Sequence, residues 1–278
     1  MFTLIKLELF KIFSKPRTYI AYGAILLLVL AIQLAIKIDG QNILDFMTQS
    51  LQDSFEFSGN LLNGFLIAFV ILNTLFIHVP FLVVLIAADS IAGETSAGTY
   101  RLILTRSVSR SQLVFAKFIA NIFYSTTLVI ILGILSLGLS VIIFGKGDLI
   151  VIRTMVNIFA EDDIWWRFMY AFAFGVLSMA MISTLALFFS AFAQNSITPI
   201  ILTMSVTIAF TVFSSLNFSI FEWIRPFLFT SYLGNWRDFF DYELNMNEIY
   251  LSLFALSAHI IILYFATLFY FKRKDIVG

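Results

Sequence analysis

Residues able to do chemistry are few in this 278-residue chain. It has no cysteine, which excludes disulfides, cysteine-ligated zinc, iron–sulfur clusters and a thiol nucleophile. Two histidines, His78 and His259, lie inside long apolar stretches. Each is expected to be a neutral imidazole hydrogen-bonded between helices, and their wide separation argues against a metal site built from both. The acidic run Glu161, Asp162 and Asp163, beside Trp165 and Trp166, reads as a solvated external loop. No G-x-x-x-x-G-K-[ST], H-E-x-x-H or G-x-S-x-G occurs, and the eight methionines read as packing. Polar chemistry is instead concentrated between Asp89 and Lys117. Arg101, Arg106 and Arg110 there could meet carboxylates, while Tyr100, Ile103 and Leu104 can share one apolar helical face. Ser109 followed by Gln112 fits a capping box, so a new helix is expected to start there.

The elements that must position this segment cross a membrane. The chain is 60% apolar and only 12% charged, with a mean hydropathy of +0.97, far from the composition of a soluble domain. Six segments are long and apolar enough to span: Thr18–Ile36, Leu61–Ala88, Leu113–Phe144, Phe168–Ala193, Thr198–Leu216 and Ile249–Phe271. The second and third exceed a minimal span, implying tilt or extension beyond the membrane. Eleven of the 17 basic residues fall on one side of this arrangement, so that side and both termini are expected in the cytoplasm. Lys117, Asp89 and Arg167 lie near span ends, where they are expected to snorkel. Pro80 is a candidate hinge in the second span, and Asn63, Asn73 and Asn121 are expected to bond helix to helix.

Outside the spans, residues 1–17 read as an amphipathic interfacial helix, with Phe2, Ile5, Leu9, Ile12 and Phe13 toward lipid and Glu8, Lys11 and Lys15 largely opposite. Ile43, Met47, Leu51 and Phe55 suggest a second surface helix in the first external loop. The aromatic segment Asn217–Glu248 is expected at the headgroups, broken into short interfacial or re-entrant pieces by Pro226 and Gly234.

The segment before the third span resembles the membrane subunits of ABC transporters of the ABC-2 exporter type, in the short-looped bacterial subgroup. Their pattern, E-x-x-x-G-T-x-x-x-L-L-x-x-P-[VI]-S-R followed by a lysine, is met here by Glu94, Gly98, Thr99, Ile103, Leu104, Val108, Ser109, Arg110 and Lys117, with Ser107 in place of the usual proline. The resemblance implies an all-α fold over 1–278 as a single transmembrane domain, with a cytoplasmic coupling helix between spans two and three. It implies a permease subunit in the bacterial plasma (inner) membrane, working as a homodimer or heterodimer with two copies of a separate ATPase. That ATPase would carry ATP and Mg²⁺, leaving this chain with no cofactor, no metal and no catalytic residues of its own. Glu94, Gly98, Thr99, Tyr100, Arg101, Leu104, Arg106, Ser109 and Arg110 would form the ATPase-coupling loop. Membrane lipids are the other expected partners, and nucleic acid is not one. The alternative is a non-transporting membrane anchor or assembly factor on the same fold. A secondary carrier is disfavoured by spans nearly free of ionisable groups.

Overall fold

A computed structural model describes residues 1–48, 61–99, 108–153, 155–216, 218 and 222–274. Six of its helical segments are long and apolar enough to cross a membrane, and the architecture is that of an all-α membrane protein with one short hairpin. Helix α1 (Phe2–Phe13) turns at Ser14 and Lys15 into α2 (Pro16–Thr48), where Pro16 takes the first helical position, at which its missing N–H costs nothing. Asp39, at a non-helical φ of −130°, divides Pro16–Thr48 into two helical pieces joined at a kink, and residues 43–48 belong to the second piece, where a further helix is expected from the sequence. Residues 49–60, with Leu51 and Phe55, lie outside the described residues.

The second span is built in pieces: α3 (Gly64–Leu75), α4 (Val79–Ala87) and α5 (Asp89–Ser96). The first interruption, Phe76–His78, falls one turn before Pro80, which has no N–H to return to the Phe76 carbonyl. Pro80 therefore sits in the first turn of α4, and the break precedes it. The second interruption, at Ala88, is bridged by Ser190, whose hydroxyl bonds the Ala88 carbonyl and accepts from the Ile91 and Ala92 amides at 3.1 and 2.9 Å.

The third span joins α6 (Arg110–Gly133) through a π-helical segment, Ile134–Leu139, to α7 (Ser140–Phe144). A π turn displaces carbonyls from the α ladder. Gln33 of α2 reaches across to donate to the Leu135 carbonyl at 3.1 Å and the Ser140 hydroxyl at 2.9 Å. Strands β1 (Leu149–Ile152) and β2 (Val156–Phe159) pair antiparallel, with Leu149 opposite Phe159. The remaining helices are α8 (Glu161–Phe192), α9 (Ile197–Ser215), the single-turn α10 (Thr230–Leu233) and α11 (Met246–Arg273).

Helix α8 is the axis, packing on α4, α6, α9 and α11. Small residues such as Ser178, Ser183, Ala186 and Ser190 let neighbours approach on several sides, and 67% of its membrane stretch is buried against 17% for α9. The segment before α11 breaks where expected, into 3₁₀ turns Arg225–Phe227 and Asn235–Phe240 on either side of α10. Its aromatics divide. Trp223 and Phe227 are exposed, but Trp236 and Phe240 are buried in the bundle against Phe69, Phe76 and Phe168. Half of this segment is thus core and not headgroup anchor.

One contact fixes how α3 enters. Asn63 caps it, accepting from the Phe65 and Leu66 amides and donating to the Asp148 carbonyl. Gly64 then lies against the third span so closely that a Cβ there would sit 2.5 Å from Val141 Cα and 2.6 Å from its nitrogen. Backbone cannot yield as a side-chain tip can. Gly64→Ala is expected to destabilise by ~1–3 kcal/mol or more, read as a lower thermal midpoint in detergent. Gly23→Ala, where nothing lies within 4 Å, should leave it unlowered.

Candidate functional site

The structure gathers charged side chains where α1, α5 and α6 meet, around a cavity of about 440 Å³ lined by Glu8, Lys11, Lys15, Asp89, Glu94 and Lys117 among others. Lys117 is 1% exposed and Glu8 5%. Lys117 Nζ donates to Glu8 Oε2 at 2.8 Å and lies 2.9 Å from Glu94 Oε2, an ion-pair contact off the line of a hydrogen bond. Lys11 Nζ contacts the other oxygens of the same two carboxylates, Glu8 Oε1 at 2.6 Å and Glu94 Oε1 at 2.7 Å. Two lysines and two glutamates therefore form a closed quartet across three elements.

This overturns two expectations. Lys117 does not snorkel, and the polar stripe of α1 faces inward. Glu8 and Ile12 are buried against the bundle, while Phe2, Leu7 and Phe10 are the exposed side. Both patterns give the same helical period, so periodicity alone does not say which face meets protein.

A second cluster adjoins the first. Asp89, 8% exposed, pairs with Lys15 at 2.5 Å, with Arg17 at 3.6 Å and with the Ser196 hydroxyl. Gly93 leaves the room for it, since a Cβ there would fall on the Asp89 carboxylate. Ser90 donates to Asn121 at 2.7 Å, joining α5 to α6, whereas Asn73 donates to the Phe69 carbonyl of its own helix.

The coupling-segment residues divide by role. Glu94 is a quartet member. Gly98, at φ +65°, ends α5: its amide bonds the Thr95 carbonyl, and Thr99 returns both amide and hydroxyl to the Glu94 carbonyl. That is a Schellman termination, and a left-handed residue there favours glycine. Ser109 accepts from the Gln112 amide while Gln112 returns to the Ser109 amide, the expected capping box. Arg110 is engaged inside the chain, donating to the carbonyls of Phe271, Lys272 and Lys274 at the end of α11. Lys274 in turn donates to the Ala191 carbonyl at the end of α8. Tyr100, Arg101, Leu104 and Arg106 lie outside the described residues.

Other sequence candidates have structural partners. His259 ties α11 to the aromatic segment, its Nδ1 2.7 Å from the Ala255 carbonyl and its Nε2 3.0 Å from that of Phe227. His78 bonds the Thr74 carbonyl within its own span. The acidic run is the first turn of α8, not a loop, where carboxylates complement the helix dipole. Within it Glu161 pairs with Lys146, and Asp163 accepts from Trp166 and Arg167. Arg167, 6% exposed, is buried instead of snorkelling.

Titration of the quartet has a definite sign, and α1 lies outside the spans. Burial pushes the Glu8 carboxyl up, but the Lys117 charge and hydrogen bonds from both lysines outweigh it and hold the pKa below the ordinary 4.5. Burial likewise pushes Lys11 down, and its bonds to Glu8 and Glu94 hold it above the ordinary 10.5. Stability from Glu8 is present above its ordinary pKa and is lost as pH falls through the lowered one. That from Lys11 is present below 10.5 and is lost as pH rises through the raised value. The expected profile of thermal midpoint against pH is a plateau with an acid limb, and Glu8→Gln should flatten that limb. An unchanged limb in the variant would remove Glu8 as its origin.

Among the described residues no group of three or more histidine or acidic side chains is placed to hold a metal ion. The paired charges brace four helix ends together. Over a 156-residue stretch the chain is 27% identical to the uncharacterized protein YhcI of Bacillus subtilis (strain 168), covering 53% of this chain. The matched stretch spans about half the length of that relative, 49%. The family model described as "Protein of unknown function (DUF2705)" matches residues 25–277, nearly the whole membrane domain, and the chain belongs to this family.

Proposed function

We propose that the chain is the membrane permease subunit of an ATP-driven exporter, energised by a separate ATPase docked on the segment Glu94–Arg110. The observation that supports this is that the segment is anchored at both ends. At one end Glu94 is locked to α1 and α6 through Lys11 and Lys117. At the other, Arg110 is bonded to the end of α11. A displacement of the segment is therefore passed to four elements together, as a rigid-body input requires.

In this reading the basic end of the bundle is cytoplasmic. Arg101 and Arg106 pair with ATPase carboxylates, and Tyr100 and Leu104 fill an apolar pocket. Closure of two ATPase copies on ATP re-angles the second and third spans of a permease dimer, with the break before Pro80 as the flexing point. Arg110, committed to α11, drops out as an ATPase contact.

The test is reconstitution of the chain with a Walker A-bearing ATPase subunit, sought first among the products of the neighbouring genes. Arg101→Glu with Arg106→Glu should lower substrate-stimulated ATP turnover by ~10-fold or more, because like charges set against each other at an interface cost several kcal/mol, while insertion is unchanged. Full turnover in that variant would remove the two arginines from the interface. A complex that forms but never hydrolyses ATP would sink the exporter reading in favour of a membrane anchor.

A further inference from the structure

Between α6, the π segment and α8 lies a laterally open groove of about 500 Å³, lined by none of the quartet residues. Its floor is Val129 and Leu137, each 3% exposed, with Gly133, Gly138 and Phe172, while Ile134 and Met169 form exposed lips. The hydroxyl of Thr126, at its inner end, is already bonded to the Ile122 carbonyl. The groove thus offers an occupant apolar contact and little else.

We propose that it holds one acyl chain of a phospholipid from the surrounding leaflet. Length is the first argument. The groove runs from Trp165 to Val176 along α8, and eleven residues of helix advance about 16 Å, close to half of a hydrocarbon core about 30 Å thick. Lining is the second: apart from Thr126 and Trp165 the walls are aliphatic, methionine, phenylalanine and glycine residues, which suit a hydrocarbon chain, and a second copy seated on this face is the competing outcome that the experiment reads.

The mouth matches a lipid as well. Trp165, 38% exposed, stands where indoles favour the membrane interface. One turn before it Glu161 pairs with Lys146, whose side chain is 54% exposed and supplies a cation at the same end of α8. The site is carved from backbone. A Cβ on Gly138 would meet nothing within 4 Å, and one on Gly133 would press to 3.2 Å from the Phe172 ring. The π segment that carries Gly138 is a type of helical irregularity often found at functional sites. This proposal is independent of any ATPase.

The experiment uses the full chain in nanodiscs containing phosphatidylglycerol with a mid-chain diazirine, with photo-adducts mapped by mass spectrometry. Adducts are expected on Ile134, Leu137 and Phe172 in preference to the lipid-facing sides of α9 and α11. Gly138→Leu, which fills the groove, should lower them by ~10-fold by excluding two or more methylenes. Gly23→Leu, on a face where nothing lies within 4 Å, should not. Adducts spread evenly over all exposed helices would overturn the proposal, as would bismaleimide linkage of Gly138→Cys between two copies. If Gly138→Leu does not fold, the wild-type adduct map decides alone.

Discussion

Lys117→Ala is expected to cost about 3–5 kcal/mol of stability, the usual penalty for removing one partner of a buried ion pair. Glu8 and Glu94 would be left facing each other with Lys11 alone between them. Lys11 has a 42% exposed side chain, so water screens the one attraction that remains. The variant should lose most of its folded yield in detergent, or show a sharply lowered midpoint in denaturant titration. The remedy expected to work is to remove the buried charges together. Glu8→Met, Glu94→Met and Lys117→Met combined should recover much of the loss, because a buried ionic group exchanged for packed apolar side chains is often neutral in energy. A loss below about 1 kcal/mol in Lys117→Ala, the range of exposed pairs, would mean that the quartet is solvated.

The second large effect is expected at the opposite end. Arg167 donates to Asp163 at 2.9 Å and to the carbonyls of Phe239 and Asp241, each at 2.8 Å. Its guanidinium carbon also lies 4.1 Å from the centre of the Phe159 ring. It therefore joins α8, β2 and the 3₁₀ turn before α11. Arg167→Ala should cost about 3–5 kcal/mol, since two carbonyls and a carboxylate lose a buried charged donor. Arg167→Lys should recover only part, because an ammonium cannot reach three acceptors in the plane of a guanidinium. Arg153 makes the comparison sharp. It pairs with Asp238 and Asp241, but its side chain is 31% exposed, and Arg153→Ala should cost no more than about 1 kcal/mol. Limited proteolysis within Asn235–Phe240 would separate the two, with early cleavage in the Arg167 variant only.

The parts legible in the sequence were those written locally. Six crossings followed from apolar length, and the structure has six helical segments of that kind. The Ser109–Gln112 box needed only residues three apart, and the break in the second span followed from Pro80. What stayed hidden was long-range. Glu8 and Lys117 are 109 positions apart, and a polar stripe on α1 looks the same whether it meets water or a buried lysine. The hairpin was missed because Leu149–Ile152 and Val156–Phe159 are four residues each, too short for alternation to stand out from loop. The pattern through Glu94, Gly98 and Thr99 was visible, but not its physical content. Glu94 supplies a charge to the quartet and a carbonyl to the helix stop, so two demands fall on one residue.

The π segment also has a genetic consequence. A π turn holds one more residue than the α turn it replaces, so the residues after Leu139 stand about 100° out of the α phase set by those before Ile134. Deleting any one codon between them would restore plain α phase. Ser140 would still turn its hydroxyl to Gln33 and Val141 its backbone to Gly64, because the π turn had absorbed the residue removed. A one-residue length change is harmless in most loops. In this span a residue added at the π segment, with no second π turn to absorb it, would rewrite both contacts that seat α2 and α3.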